Sequence, residues 1–148
     1  MATDMGREYP PVIIPFPYHM SFYDRPLYLQ WAVKGLSGAL RQFFDVGLGE
    51  VKNMPPETTP EMSRMWIRLN QKRADAIVEY ENSVALIEFR HHANPDALGR
   101  LITYKVLWKE DPVIQKYLQL ILVTDWELEL IRPVAQSLDI QIVVLEEA

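Results

Sequence analysis

Apolar residues recur along this chain with two periods, and the changes from one period to the other mark out its elements. Asp24 can cap a helix, and after it Leu29, Val33, Leu36, Leu40 and Phe43 step by four and three until Gly47 and Gly49 interrupt the run. That spacing predicts a first helix from Asp24 to just short of Gly47. Gly47, Gly49, Pro55, Pro56 and Pro60 are too many breakers for a regular element and predict a long loop over 47–61. From Met62 to Asn70, Met65, Ile67 and Leu69 alternate with Arg64, Trp66 and Arg68, the period of a half-buried strand. Strands are expected next at 74–80 and 83–90, with Glu81-Asn82 as a tight hairpin turn.

Helical spacing then returns. Asn94-Pro95 places a cap before a proline at the first helical position, and Ala97, Leu101, Tyr104 and Trp108 follow, which predicts a second helix ending near Asp111-Pro112. Tyr117–Val123 and Ile140–Leu145 are short, nearly continuous apolar runs, as in strands covered on both faces. Between them, Pro133 fits the start of a short helix through Leu138, because a proline inside a helix costs about 3 kcal/mol. The expected order is α-β-β-β-α-β-α-β.

Residues 1–23 follow neither period. In Tyr9-Pro-Pro-Val-Ile-Ile-Pro-Phe-Pro-Tyr18 the prolines lock φ and remove backbone donors, so the segment is expected to run extended, outside any central strand. It is too rich in Ile, Phe and Tyr for a solvated tail and reads as a contact arm. Tyr9, Ile13, Ile14, Phe16 and Tyr18 are its candidate interface residues. An ordered apolar arm must lie on its own domain or on a neighbouring subunit, and the neighbour is the favoured reading. The chain thus divides into an arm, 1–23, and one α/β domain, 24–148.

The length of 148 residues fits one domain, which buries roughly 70% of the surface its unfolded chain exposes. A net charge of −5 repels a phosphate backbone as a whole, so any grip on nucleic acid needs a local basic patch. Arg64, Arg68, Lys72 and Arg73 concentrate positive charge around one expected strand, where the alternative use is to guard an exposed sheet edge. There are no cysteines, hence no disulfides and no thiolate metal site. No apolar run approaches the roughly 20 residues of a membrane helix, and Asp4 and Glu8 stand where a signal peptide has its apolar region. The chain is therefore expected to be neither transmembrane nor exported by a signal peptide.

Three stretches carry a resemblance. Arg73-Ala-Asp75-Ala-Ile-Val, Val84-Ala-Leu-Ile-Glu88-Phe-Arg90 and Ala97-Leu-Gly-Arg-Leu-Ile-Thr-Tyr104 resemble the PD-(D/E)xK nuclease superfamily over roughly residues 27–145. The resemblance implies a restriction endonuclease-like core in which Asp75 and Glu88, from paired strands, hold one Mg²⁺ that stabilises phosphoryl charge and activates water. Alternation puts Glu88 and Arg90 on one face of their strand with Phe89 opposite.

Two positions depart from the family pattern. Arg90 stands where the family usually has lysine, and a guanidinium is a poor proton-transfer group. Arg100, in Gly99-Arg100-Leu101, stands where the family's helix often has glutamine. Both bring positive charge toward the place a cation would occupy, and Arg90 can pair bidentately with Glu88 or Asp75. The family's acidic residue on the first helix has no counterpart between Trp31 and Phe44; Asp45 and Glu50 come only at the end of that stretch.

Other residues weigh less. Asp75 also suits a strand end, capping a turn or pairing with Arg73 or Arg90. His91 and His92, adjacent on extended chain, point opposite ways and cannot easily share an ion, which favours a solvated turn. Trp31, Trp66, Trp108 and Trp126 are spaced for core or subunit contacts more than for base stacking.

These readings lead to an expected function. It is a non-enzymatic structural protein on a degenerate nuclease-like fold, needing no cofactor. Its arm would contact neighbouring subunits and other assembly proteins in a homo-oligomer, such as a head–tail connector, neck or tail piece of a phage virion. The expected place is accordingly the virion or the host cytoplasm. The alternatives are a Mg²⁺-dependent DNA endonuclease using Asp75, Glu88 and Arg90, or a DNA-binding module without cleavage. In either of those, Arg64, Arg68, Lys72, Arg73 and Arg100 would meet phosphates.

Overall fold

The structure, a computed structural model, describes residues 2–51 and 54–146. Among them run α1 (Arg25–Gly35), β1 (Ala39–Leu48), α2 (Pro60–Asn70), β2 (Lys72–Tyr80), β3 (Ser83–Phe89), α3 (Pro95–Glu110), β4 (Tyr117–Thr124), α4 (Ile131–Ser137) and β5 (Ile140–Val144). The strands form one five-stranded mixed sheet in the order β1-β2-β3-β4-β5. The first three pair antiparallel, and β3, β4 and β5 run parallel. The expected α+β class is what the chain adopts.

Helices cover both faces of the sheet. On one, Leu98, Leu101, Tyr104 and Trp108 of α3 and Ile131 and Ala135 of α4 pack against Ile77, Leu86 and Leu122. On the other, Leu27, Tyr28, Trp31 and Ala32 of α1 meet Phe44, Ile87, Phe89 and Val123. Double coverage is why β3 and β4 read as nearly unbroken apolar runs. Trp31 and Trp108 lie in the core as their spacing indicated.

Two expected elements are corrected. The first helix ends at Gly35, whose missing side chain leaves room for the Trp31 ring; a Cβ there would lie 2.1 Å from it. Gly38 then turns the chain at φ +76°, and residues 39–48 enter the sheet as β1 instead of continuing the helix. The second correction is at 62–70, which form not a strand but α2. Thr59 Oγ1 accepts the Met62 N–H at 3.2 Å and Pro60 sits in the first turn. None of α2's residues is buried. The observed order is therefore α-β-α-β-β-α-β-α-β and not the expected α-β-β-β-α-β-α-β, with residues 39–48 as first strand and 62–70 as a helix after it.

The hairpin 74–80/83–90, the capped helix after Asn94 and the strands at 117 and 140 stand as expected within a few residues. Asn94 Oδ1 accepts the Ala97 N–H at 3.3 Å. Pro133 lies in the first turn of α4, where its missing donor breaks no helical bond.

The arm runs along the outer edge of β1. Asp4 exchanges both backbone hydrogen bonds with Gly47, at 2.8 and 2.9 Å, and Tyr9 does so with Gln42, at 2.9 and 3.0 Å. Gln42, 0% exposed, reaches through the edge: its Nε2 donates to Pro10 O at 2.9 Å and Val12 O at 2.6 Å. Its Oε1 accepts from Tyr28 Oη at 2.8 Å, and that hydroxyl accepts the Ile14 N–H at 3.2 Å. Tyr9 and Ile14 pack against the α1-side core of their own chain, while Ile13, Phe16 and Tyr18 remain exposed. Among the described residues, no helix is long and apolar enough to cross a membrane.

Candidate functional site

The antiparallel register that pairs Ala76 with Ile87 sets Asp75 beside Glu88 on the next strand. Asp75 is half-buried and its Oδ2 accepts the Phe89 N–H at 2.8 Å. Glu88 is 2% exposed, on the α3 side of the sheet, and Arg90 follows just beyond β3. β3 pairs with β4 over Ser83–Phe89 and with β2 over Val84–Ile87, so Glu88 and Asp75 each lie on a strand, one residue past the paired part of the β2–β3 hairpin.

Two guanidinium groups close over the pair. Arg90 Nη2 lies 3.5 Å from Glu88 Oε2, and Arg100 Nη1, from α3, lies 3.7 Å from the same oxygen. These are ion-pair distances, longer than a hydrogen bond. The shorter contacts go elsewhere: Arg90 Nη1 donates to Asp96 Oδ2 at 3.2 Å, and Arg100 Nη1 donates to Tyr104 Oη at 3.2 Å. Arg90 therefore bridges Glu88 and Asp96, one contact each, where a bidentate grip on one carboxylate was expected. Arg73 does not reach Asp75; it turns to Asp45, with Nε 3.0 Å from Oδ1 and Nη2 2.8 Å from the backbone oxygen.

Burial governs the acidity of the pair. Glu88 is pushed up to about 9, by burial first and then by the charge of Asp75, with Arg100 and Arg90 pulling the other way. Asp75 is pushed up to about 6, again by burial first, with the Phe89 N–H opposing and the charge of Asp24 adding to it. Each carboxylate's charge opposes ionisation of the other, so burial and proximity together favour the protonated form of Glu88. Burial and the Glu88 charge also push the Tyr104 hydroxyl up to about 12.

Mg²⁺ asks for several ionised or neutral oxygen ligands in near-octahedral order. Here the Glu88 carboxyl, with Asp75 beside it, faces two guanidinium groups. Among the described residues no three of His, Asp and Glu are grouped to hold an ion.

The sequence reading placed Asp75, Glu88, Arg90 and Arg100 together, and it missed Asp96, Tyr104 and Asp24. Asp24 was read only as a helix cap, yet its side chain caps nothing in α1; it accepts from Ser21 Oγ at 2.9 Å and its charge acts on Asp75.

The cations expected to meet phosphate divide. Arg68, Lys72, Arg73 and Arg100 line one groove of about 660 Å³ between the end of α2, the start of β2 and α3, and Arg64 is not among its lining. Arg68 and Arg73 are already committed to Asp45, at 2.8 and 3.0 Å. With 62–70 helical, these residues guard no strand edge. His91 is not in a solvated turn as expected: it is half-buried, between Asp125 and the backbone of Tyr23. His92 is exposed beside Trp126.

Comparison of the chain with protein-family models, with curated proteins and with solved structures found no match.

Proposed function

We propose that this chain is a non-catalytic assembly protein on a restriction endonuclease-like fold, in which a protonated Glu88 and two guanidinium groups stand where a nuclease would hold a divalent cation. The observation that carries the reading is the placement of Glu88, 2% exposed with the guanidinium groups of Arg90 and Arg100 as its nearest cations. To seat a cation, a carboxyl raised to about 9 must ionise against its burial. Arg90 and Arg100, at 3.5 and 3.7 Å, must also give way. The element order without α2 supports the nuclease-like ancestry of the hairpin, and fold alone does not carry the activity.

The assembly half of the proposal rests on the arm's outer side. Phe16 is 75% and Phe22 81% exposed, with Ile13, Tyr18 and Tyr23 also open to solvent. Apolar residues gathered on one surface segment mark a contact site. Ile13, Phe16 and Tyr18 keep the interface role expected of them, whereas Tyr9 and Ile14 hold the arm to its own domain. A connector ring or another part of a phage virion is an assembly that uses such surfaces.

A second reading has its own support: the basic groove ends at Arg100 and Tyr104, next to Glu88, as a Mg²⁺-dependent endonuclease or a non-cleaving DNA-binding module would require. Plasmid DNA incubated with the purified chain and Mg²⁺ or Mn²⁺ decides between cutting and not cutting. The expected result is no nicking above background, with Asp75→Ala and Glu88→Ala indistinguishable from the parent. Metal-dependent nicking that either substitution abolishes overturns the proposal. Measuring the mass in solution of a Phe16→Ser/Phe22→Ser/Tyr23→Ser variant tests the assembly half, and a smaller species than the parent is expected.

A further inference from the structure

We propose that His91 is a pH-operated latch that fastens the end of the N-terminal arm, at Tyr23, to the sheet. The inference stands whichever way the acidic pair is read. His91 lies just past β3, in the bend before α3, and its two ring nitrogens face two different segments of chain. Nδ1 is 2.6 Å from Asp125 Oδ2, in the connection after β4, and Nε2 is 2.7 Å from the backbone oxygen of Tyr23, in the last turn before α1.

Both partners can only accept. A carboxylate has no proton to give and a backbone carbonyl never has one. A neutral imidazole carries one N–H and can satisfy one of them; only the imidazolium donates to both. The other Asp125 oxygen accepts the His92 N–H at 3.2 Å, which holds the carboxylate toward the ring. The Tyr23 ring packs on the imidazole, with centroids 4.2 Å apart.

The charged groups facing His91 come from two sides. Asp125 faces it from beyond β4, and Asp24 from the arm–α1 junction. On its own segment, Arg90 is turned to Glu88 and Asp96, and His92 lies beside Trp126. Burial lowers the imidazole's pKa, but the bonds to Asp125 and Tyr23 and the charges of Asp125 and Asp24 outweigh it, and the net shift is upward from 6.5. A raised value in the folded state means the latch is fully closed below the ordinary imidazole range and opens as pH rises through the folded value.

The arm is therefore fastened differently at its two ends. Around Asp4, Tyr9 and Gln42 it is held by backbone and amide groups that do not titrate, with Thr3 on Asp111 and Glu8 on Arg41 beside them. At Tyr23 it is held by a charged hydrogen bond that does. Opening releases the segment bearing Phe22 and Tyr23, both exposed aromatics, without detaching the rest of the arm.

Side-chain nitrogen NMR of the full chain, titrated with pH, reads the ring state directly. We expect His91 to show both nitrogens protonated at pH 6 and to titrate above 6.5. Amide exchange around residues 21–28 should speed up across that titration by about tenfold beyond its intrinsic pH dependence, the equivalent of one charged hydrogen bond, while the Tyr9 and Gln42 amides stay protected. Asp125→Asn, nearly isosteric, should shift the midpoint down, and His91→Gln should abolish the step. A single neutral tautomer at pH 6, or exchange at 21–28 that ignores the titration in the parent chain, overturns the latch.

Discussion

Two clusters of polar side chains are built into this sheet, one around Gln42 in β1 and one around Glu88 in β3, and they are satisfied to different degrees. Gln42 is neutral and uses its amide fully: two carbonyls of the arm accept from it and the Tyr28 hydroxyl donates to it, all within 2.9 Å. Glu88 is ionisable, equally buried, and has its nearest cations at 3.5 and 3.7 Å, so its charge is balanced only in part and a proton makes up the difference. A fully satisfied neutral network rigidifies and specifies; a partly satisfied charged one costs stability. The contrast separates the residue that holds the arm from the residue whose charge the sheet leaves only partly balanced.

The largest effect is expected where satisfaction is complete. Gln42→Leu keeps the volume roughly constant but leaves Val12 O without its amide donor and the Tyr28 hydroxyl without its acceptor, while Pro10 O keeps only the Val12 N–H, and at 1–3 kcal/mol for a buried group left unpaired the loss should be on the order of 3 kcal/mol. Urea unfolding measures it, and exchange at the Tyr9 amide should rise in the same variant. A loss below about 1 kcal/mol breaks the comparison, because it makes the Gln42 network no better than a surface contact.

At the other cluster the sign reverses. Glu88→Gln preserves shape and a donor toward Asp75 but cannot ionise. The Glu88 carboxyl is raised in the folded state from 4.5 to about 9, so its contribution is fully present below 4.5 and is lost progressively as pH rises toward 9. The glutamine variant escapes that loss. It should match the parent near pH 4.5 and exceed it by roughly 2 kcal/mol at pH 8, seen as a rise in Tm. A variant less stable than its parent at pH 8 shows that the ionised form is well paired after all and sharpens the case for a cation site.

How far these clusters were legible in the sequence follows from what fixes each of them. Asp75, Glu88 and Arg90 sit on a hairpin whose strand pattern is local, and a period of two is enough to bring them to one face. Gln42 was hidden because its stretch was read as helix: Leu36, Leu40 and Phe43 do step by four and three, and only Gly35 and Gly38, passed over as breakers, show the turn. At 59–60 the reverse happened. Thr59-Pro60 has the same cap-then-proline form as Asn94-Pro95, but among so many prolines it read as loop, and the alternation after it passed for a strand. His91's partners, Asp125 and the Tyr23 backbone, lie 34 and 68 residues away, beyond any local pattern.

The smallest effect is expected at the rim of the Glu88 cluster. Arg90→Lys introduces the residue type usual in the PD-(D/E)xK nucleases that the hairpin resembles, keeps the charge, and gives up the fork that spans Glu88 and Asp96. Asp96 is 68% exposed and Arg90 partly so, so solvent screens most of what is lost, and the change in stability should stay within about 0.5 kcal/mol. Nicking of plasmid DNA should also remain at background, because the proton on Glu88 is set first by burial, which the substitution leaves in place. If instead the lysine variant gains Mg²⁺-dependent nicking, the guanidinium itself was the obstacle, and the pair beneath it is a metal site held shut by one side chain.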